Sequence, residues 1–155
     1  MQEEDNFKSM TDQNSSKSNY KYSKITEKII GAAYKVYKVL GYGFLEKVYE
    51  NALYHELFKS GVRVNQQTPI NVYYDSINVG NFYADLVVED KVIVELKAVS
   101  NIDPIHEVQL VNYLKGTGIE VGLLINFGKQ LEVKRRVLTK EFIASGENQK
   151  DAEGR

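Results

Sequence analysis

The sequence predicts an α/β domain, a mixed central β-sheet flanked by helices, with two helices at its N-terminal end. Three observations predict it. Apolar residues first recur at helical spacing, in two segments split by Gly41-Tyr42-Gly43. Strand-length runs then dominate from Val62 to Val99. Finally, a capped helical segment stands between two strongly apolar runs, and a helix crossing between two strands suggests a mixed sheet.

Met1 to about Tyr22 is rich in Ser, Asn, Gln and charge and is expected to be a disordered arm. The folded domain is expected over residues 23–144, and Ser145 to Arg155 reads as a polar tail. Ser23 is the expected N-cap of the first helix, whose stripe is Ile25, Ile29, Ala32, Ala33, Val36 and Leu40, and Gly41 ends it. The second helix is expected from about Leu45 to Ser60. Its stripe is Leu45, Val48, Tyr49, Ala52, Leu53 and Leu57, with Gly61 closing it. Val62 and Val64 alternate with polar residues, and Ile70, Val72 and Tyr74 do so again after Pro69. Asp75-Ser76 signals a turn. Ile77 to Val88 reads as one or two strand segments, kinked near Gly80-Asn81. Lys91 to Val99 is the most apolar strand and is expected at the centre. Asp103-Pro104 opens a third helix that runs to about Lys115 and ends at Gly116-Thr117-Gly118, with Val108, Val111 and Leu114 as its expected core side. Val121 to Phe127 is a continuous apolar strand, and Leu131 to Leu138 forms a last edge strand or a helix.

The chain has 155 residues and is 43% hydrophobic, enough for one domain with a real core. No apolar stretch approaches the ~18 residues of a membrane span, and Met1 to Ser18 lacks the apolar segment of a secretory signal. There is no cysteine, which excludes disulfides, thiolate catalysis and Cys-ligated zinc and fits a cytoplasmic location. The net charge of −1 counts against a strongly basic, non-specific nucleic-acid binder. Locally, Lys129, Lys134, Arg135, Arg136 and Lys140 face only Glu132, which makes either a solvated surface or a phosphate-contacting rail.

The chemistry concentrates in Ala84-Asp85-Leu86-Val87-Val88 and Val92-Ile93-Val94-Glu95-Leu96-Lys97. A buried strand holds charge only when that charge is paired or bound to metal. Alternation puts Glu95 and Lys97 on one face, and a hairpin through Glu89-Asp90-Lys91 sets Asp85 opposite Glu95 on that face. Chance alone supplies about two acidic-x-Lys triplets in such a chain. The chain holds Glu89-Asp90-Lys91, Glu95-Leu96-Lys97 and Glu132-Val133-Lys134, but only the middle one lies in an apolar strand beside an Asp. A divalent-metal site and a buried, purely structural Lys97–carboxylate ion pair both fit it.

Asp85 followed by Glu95-Leu96-Lys97 on adjacent strands resembles the active-site signature of the PD-(D/E)XK nuclease superfamily. Gly43-Phe44-Leu45-Glu46-Lys47-Val48-Tyr49 is similar to the Gly-x-x-Glu-x-x-Tyr pattern of the GxxExxY protein family. So are the two strand segments, the stretch His106 to Lys115 and the stretch Gly122 to Gly128. The resemblance spans roughly Lys24 to Val137. Members often carry His where this chain has Tyr37 and Pro where it has Tyr42.

The resemblance implies a restriction-endonuclease-like core and a metal-dependent nuclease acting on DNA or RNA. It implies Mg²⁺ or Mn²⁺ held by Asp85, Glu95 and the Leu96 carbonyl, with Lys97 catalytic and Glu46 a supporting acid. The bland account of Glu46 is a carboxylate favoured by the helix dipole. Tyr49, one turn later, is expected to pack in the core with a partner for its hydroxyl. Gln109 and Tyr113 share a helix face, with His106 nearly on it. Gln-x-x-x-Tyr resembles an exonuclease motif that contacts a phosphate or base, whereas an ordinary polar face, and a helix-start role for His106, need no substrate. A chain this small has little surface for a specific duplex site unless it forms a homodimer. Two other classes compete: a catalytically silent nuclease-fold module that binds nucleic acid or a protein partner, and an interaction protein with a buried ion pair.

Overall fold

The computed structural model describes residues 22–139, so the N-terminal arm before Tyr22, the last residues assigned to the domain and the C-terminal tail lie outside the described residues. The element order is α1 (Ser23–Leu40), α2 (Glu46–Lys59), β1 (Val64–Tyr74), β2 (Ile77–Val88), β3 (Val92–Lys97), α3 (Pro104–Thr117), β4 (Val121–Phe127) and β5 (Leu131–Val137). The strands form one sheet in the order β1-β2-β3-β4-β5. β3 and β4 are parallel and joined through α3, and the other neighbours are antiparallel, so the sheet is mixed with β3 at its centre. Among the described residues no helix is long and apolar enough to cross a membrane.

Each sheet face has its own core. On one face α1 and α2 bring Ile29, Ala33, Tyr49, Leu53 and Leu57 onto Leu86, Val94, Leu96, Leu123 and Phe127. On the other, α3 brings Leu110, Tyr113 and Leu114 onto Ile70, Val87, Ile93 and Leu124. Strand alternation makes this possible: Val92, Ile93 and Val94 of β3 and Leu123, Leu124 and Ile125 of β4 are apolar on both faces, and β4 is buried throughout.

Several expectations change in detail. Ser23 is not the cap of α1: Tyr22 holds that place in a left-handed conformation, without a side-chain hydrogen bond. Val62–Val64 and Ile70–Tyr74 are not separate strands, because β1 runs unbroken from Val64 to Tyr74. β2 is likewise one strand. The expected kink is a bulge, since Val72 pairs with Gly80 but Tyr73 pairs with Asn78, leaving Val79 extra. β5 is a strand and not a helix. The stripe of α2 is rotated, so that Leu45 is 81% exposed and Val48 is exposed while Glu50 is buried. In α3, Val108 is exposed and Leu110 and Tyr113 take the core side. The Glu89-Asp90 and Asp75-Ser76 turns carry positive φ at both residues, the backbone that suits the twist of a tight hairpin.

Candidate active site

The β2–β3 ladder ends at the pair Leu86↔Val94. Beyond it β2 stays with β1, while β3 continues beside β4 as far as Lys97↔Asn126. The two strands therefore fork, and Asp85 and Glu95 stand at the crotch. There the carboxylates replace the ladder: the Leu96 amide donates to Asp85 Oδ2 at 2.8 Å, and the Asp85 amide donates to Glu95 Oε1 at 3.1 Å. Each acid thus takes a backbone N–H from the other's strand, which fixes both side chains without any cation.

The fork is electrostatically loaded. Glu95 is 6% exposed. Burial, and then the Asp85 charge, push its carboxyl up to about 9. Burial raises Asp85 as well, against the Leu96 hydrogen bond, and the Glu50 charge adds to the rise. Two carboxylates this close, one buried and one half-buried, favour a shared proton or a cation between them. Among the described residues no ion pair within 4.0 Å joins Lys97 to Asp85, Glu95 or Glu46, so a structural Lys97–carboxylate pair does not account for the cluster. Lys97 is half-buried at the end of β3, and its charge lowers the pKa of both Glu95 and Glu46. The strand exit beyond it is clamped, since the Asn126 amide donates to the Val99 carbonyl at 2.9 Å and accepts from the Val99 N–H at 3.0 Å. A Cβ on Gly128 would lie 2.7 Å from that carbonyl, so the close approach requires glycine.

Helices reach the fork from both faces. Glu46 opens α2 at an exposed position, and its carboxyl is raised first by burial and then by the Asp85 charge. Tyr49 is fully buried, stacks on Phe127 at 4.5 Å and donates to the Gly41 carbonyl at 2.7 Å, the core role expected of it. From α3, Gln109 Nε2 donates to the Tyr113 hydroxyl at 3.1 Å. The Tyr113 phenol is raised by burial and then by the Glu95 and Asp85 charges, which sets this pair beside the acids. His106 serves its own helix, because its Nδ1 accepts the Asp103 N–H at 3.2 Å in a capping box that starts α3.

Sequence reasoning missed Glu50 and Gln67. Glu50 is 3% exposed and accepts from Lys47, Gln66 and Gln67. Its one sequence signal was its place four residues after Glu46, since like charges at that spacing are unfavourable on a plain helix face. Gln67 links Glu50 to Asp85 and carried no signal. The basic run is largely engaged: Arg136 and Lys134 both pair with Glu107, and Arg135 donates to Thr26. Lys140 lies outside the described residues.

An all-oxygen donor set fits a hard divalent cation. Asp85 and Glu95 have no cationic side chain within ion-pair distance among the described residues, which suits such a group. They supply two carboxylates only, and among the described residues no three His, Asp or Glu side chains gather closely enough to hold a metal.

The profile of the PD-(D/E)XK nuclease superfamily matches residues 23–137, which is most of the chain, and the chain belongs to that superfamily. No curated protein matches it. Solved structures similar to it include an alkaline exonuclease from Laribacter hongkongensis, at 16% identity and a TM-score of 0.47, covering 68% of this chain and 61% of the exonuclease. SSO0001 is similar at 16% identity and a TM-score of 0.46, covering 84% of this chain and 67% of that one. The chain thus spans about three-fifths of the exonuclease's length.

Proposed function

We propose that this protein is a divalent-metal-dependent nuclease of the GxxExxY kind, hydrolysing phosphodiester bonds of DNA or RNA. One observation carries the reading. Asp85 and Glu95 are locked against each other at the β2–β3 fork, short of an ion-pair partner, with Lys97 next along on the same face of β3. Asp85 and Glu95 would hold Mg²⁺ or Mn²⁺, with the Leu96 carbonyl as a further oxygen, and Glu46 would support the site from the start of α2. The ion, when bound, polarises a phosphodiester and lowers the pKa of a water. Lys97 orients the attacking water and stabilises the charge that develops on the phosphorus oxygens. Gln109 and Tyr113 meet a phosphate or base at the rim. A second copy of the chain would widen the contact surface of so small a protein.

One observation favours a second reading, a nuclease-fold module that binds nucleic acid or a protein partner without cutting: the two carboxylates lack a third ligand at close range among the described residues. Labelled single- and double-stranded DNA and RNA, incubated with Mg²⁺, Mn²⁺ or EDTA, separate the two. Metal-dependent cleavage is expected. Binding without cleavage on every substrate establishes the silent module instead.

A further inference from the structure

Gln67 departs from the strand around it. Its φ is 49°, the left-handed region that a residue other than Gly, Asn or Asp rarely enters. It also interrupts the β1–β2 ladder: Gln66 pairs with Leu86 and Thr68 with Ala84, so Gln67 stands across from Asp85 unpaired, and the register resumes unshifted. Gln67 is itself exposed, and the strand changes face around it: Val64 packs in the α1–α2 core, whereas Ile70, an even six residues on, packs in the α3 core. What the conformation also supplies is aim. Gln67 Nε2 donates to Glu50 Oε1 at 2.6 Å and lies 3.4 Å from Asp85 Oδ1. Both partners accept only, which settles which end of the amide faces them.

Glu50 in turn is anchored. It is buried in α2, and its other oxygen accepts from Lys47 and from Gln66 Nε2 at 2.8 Å. Asp85 is held from both sides, Oδ2 by the Leu96 amide and Oδ1 by Gln67. A left-handed residue beside a candidate active site, with its side chain aimed at one of the acids, points to function as well as to folding.

We propose that Gln67, braced by Glu50, is a positioning residue that fixes the plane of the Asp85 carboxylate for a divalent cation. This rests on the nuclease reading and adds to it an outer partner of Asp85. Such partners change metal affinity by about 10–100-fold when removed. The test is Mn²⁺ affinity by calorimetry in the wild type, Gln67→Ala, Gln67→Gly and Asp85→Asn, with thermal midpoints for each. Affinity about tenfold weaker or worse is expected in both Gln67 variants. The Gly variant is expected to melt above the Ala variant, because glycine adopts this backbone freely, and it keeps the result readable if Ala weakens the fold. Wild-type affinity in the Gln67 variants, with binding lost in Asp85→Asn, overturns the inference and leaves the nuclease reading standing. A wild type that binds no Mn²⁺ overturns both.

Discussion

Under the proposed function Lys97 and Glu95 would have different tasks at the fork, and single substitutions separate them. Lys97 makes no ion pair with the acids within 4.0 Å among the described residues, so its removal leaves them in place. Lys97→Ala is expected to retain Mn²⁺ binding in a calorimetric titration and to cut at least about 100-fold more slowly. Glu95 carries the pH dependence. Its folded pKa, about 9, is raised above the ordinary carboxyl value of 4.5, so folding favours the protonated acid. That contribution is complete below about pH 4.5 and is lost as pH rises through about 9. Asp85, shifted the same way, adds to it. Urea midpoints measured in EDTA should therefore fall across this window, and Glu95→Gln should flatten the fall. Bound cation opposes the trend, because it takes the place of the proton.

The elements explain why part of this site was legible in the sequence. Strand alternation holds along β3, so Glu95 and Lys97 could be set on one face from spacing alone, and the Glu89-Asp90 turn fixed the register that brings Asp85 across from Glu95. Helix rotation was harder to read. The expected stripes held at Tyr49, Leu53, Leu57 and Leu114 but ran too wide at Leu45, Val48 and Val108, which are exposed, and left out Leu110 and Tyr113. The burial of Glu50 was hard to see in the sequence because its partners Gln66 and Gln67 come from β1. The left-handed backbone of Gln67 leaves no compositional trace. At this scale the clamp behind Lys97 is the testable joint. Gly128→Ala would press a methyl group onto the Val99 carbonyl. It should cost about 1–3 kcal/mol in urea denaturation. Tyr49→Phe leaves the Phe127 stack intact but removes the bond to Gly41, and should cost only about 1 kcal/mol.

Across the molecule, charge is spent internally more than it is displayed. The basic run that suggested a phosphate rail is held by Glu107, which pairs with both Arg136 and Lys134 across the sheet edge. If nucleic acid approaches this side, Glu107→Gln frees Arg136 and leaves Lys134 only its pair with Glu132. Binding to a fluorescent oligonucleotide should then tighten severalfold at low salt, roughly in step with the added phosphate contacts, and the gain should vanish at high salt. Under the proposed function, the two carboxylates from neighbouring strands, fixed by each other's backbone, would seat a divalent cation. The most direct measurement is calorimetric titration of Mn²⁺ into the wild type and into Asp85→Asn at neutral pH. Saturable binding that disappears in the variant is the result predicted. Binding of equal strength in both proteins, or none in the wild type, rules out a cation seat at Asp85.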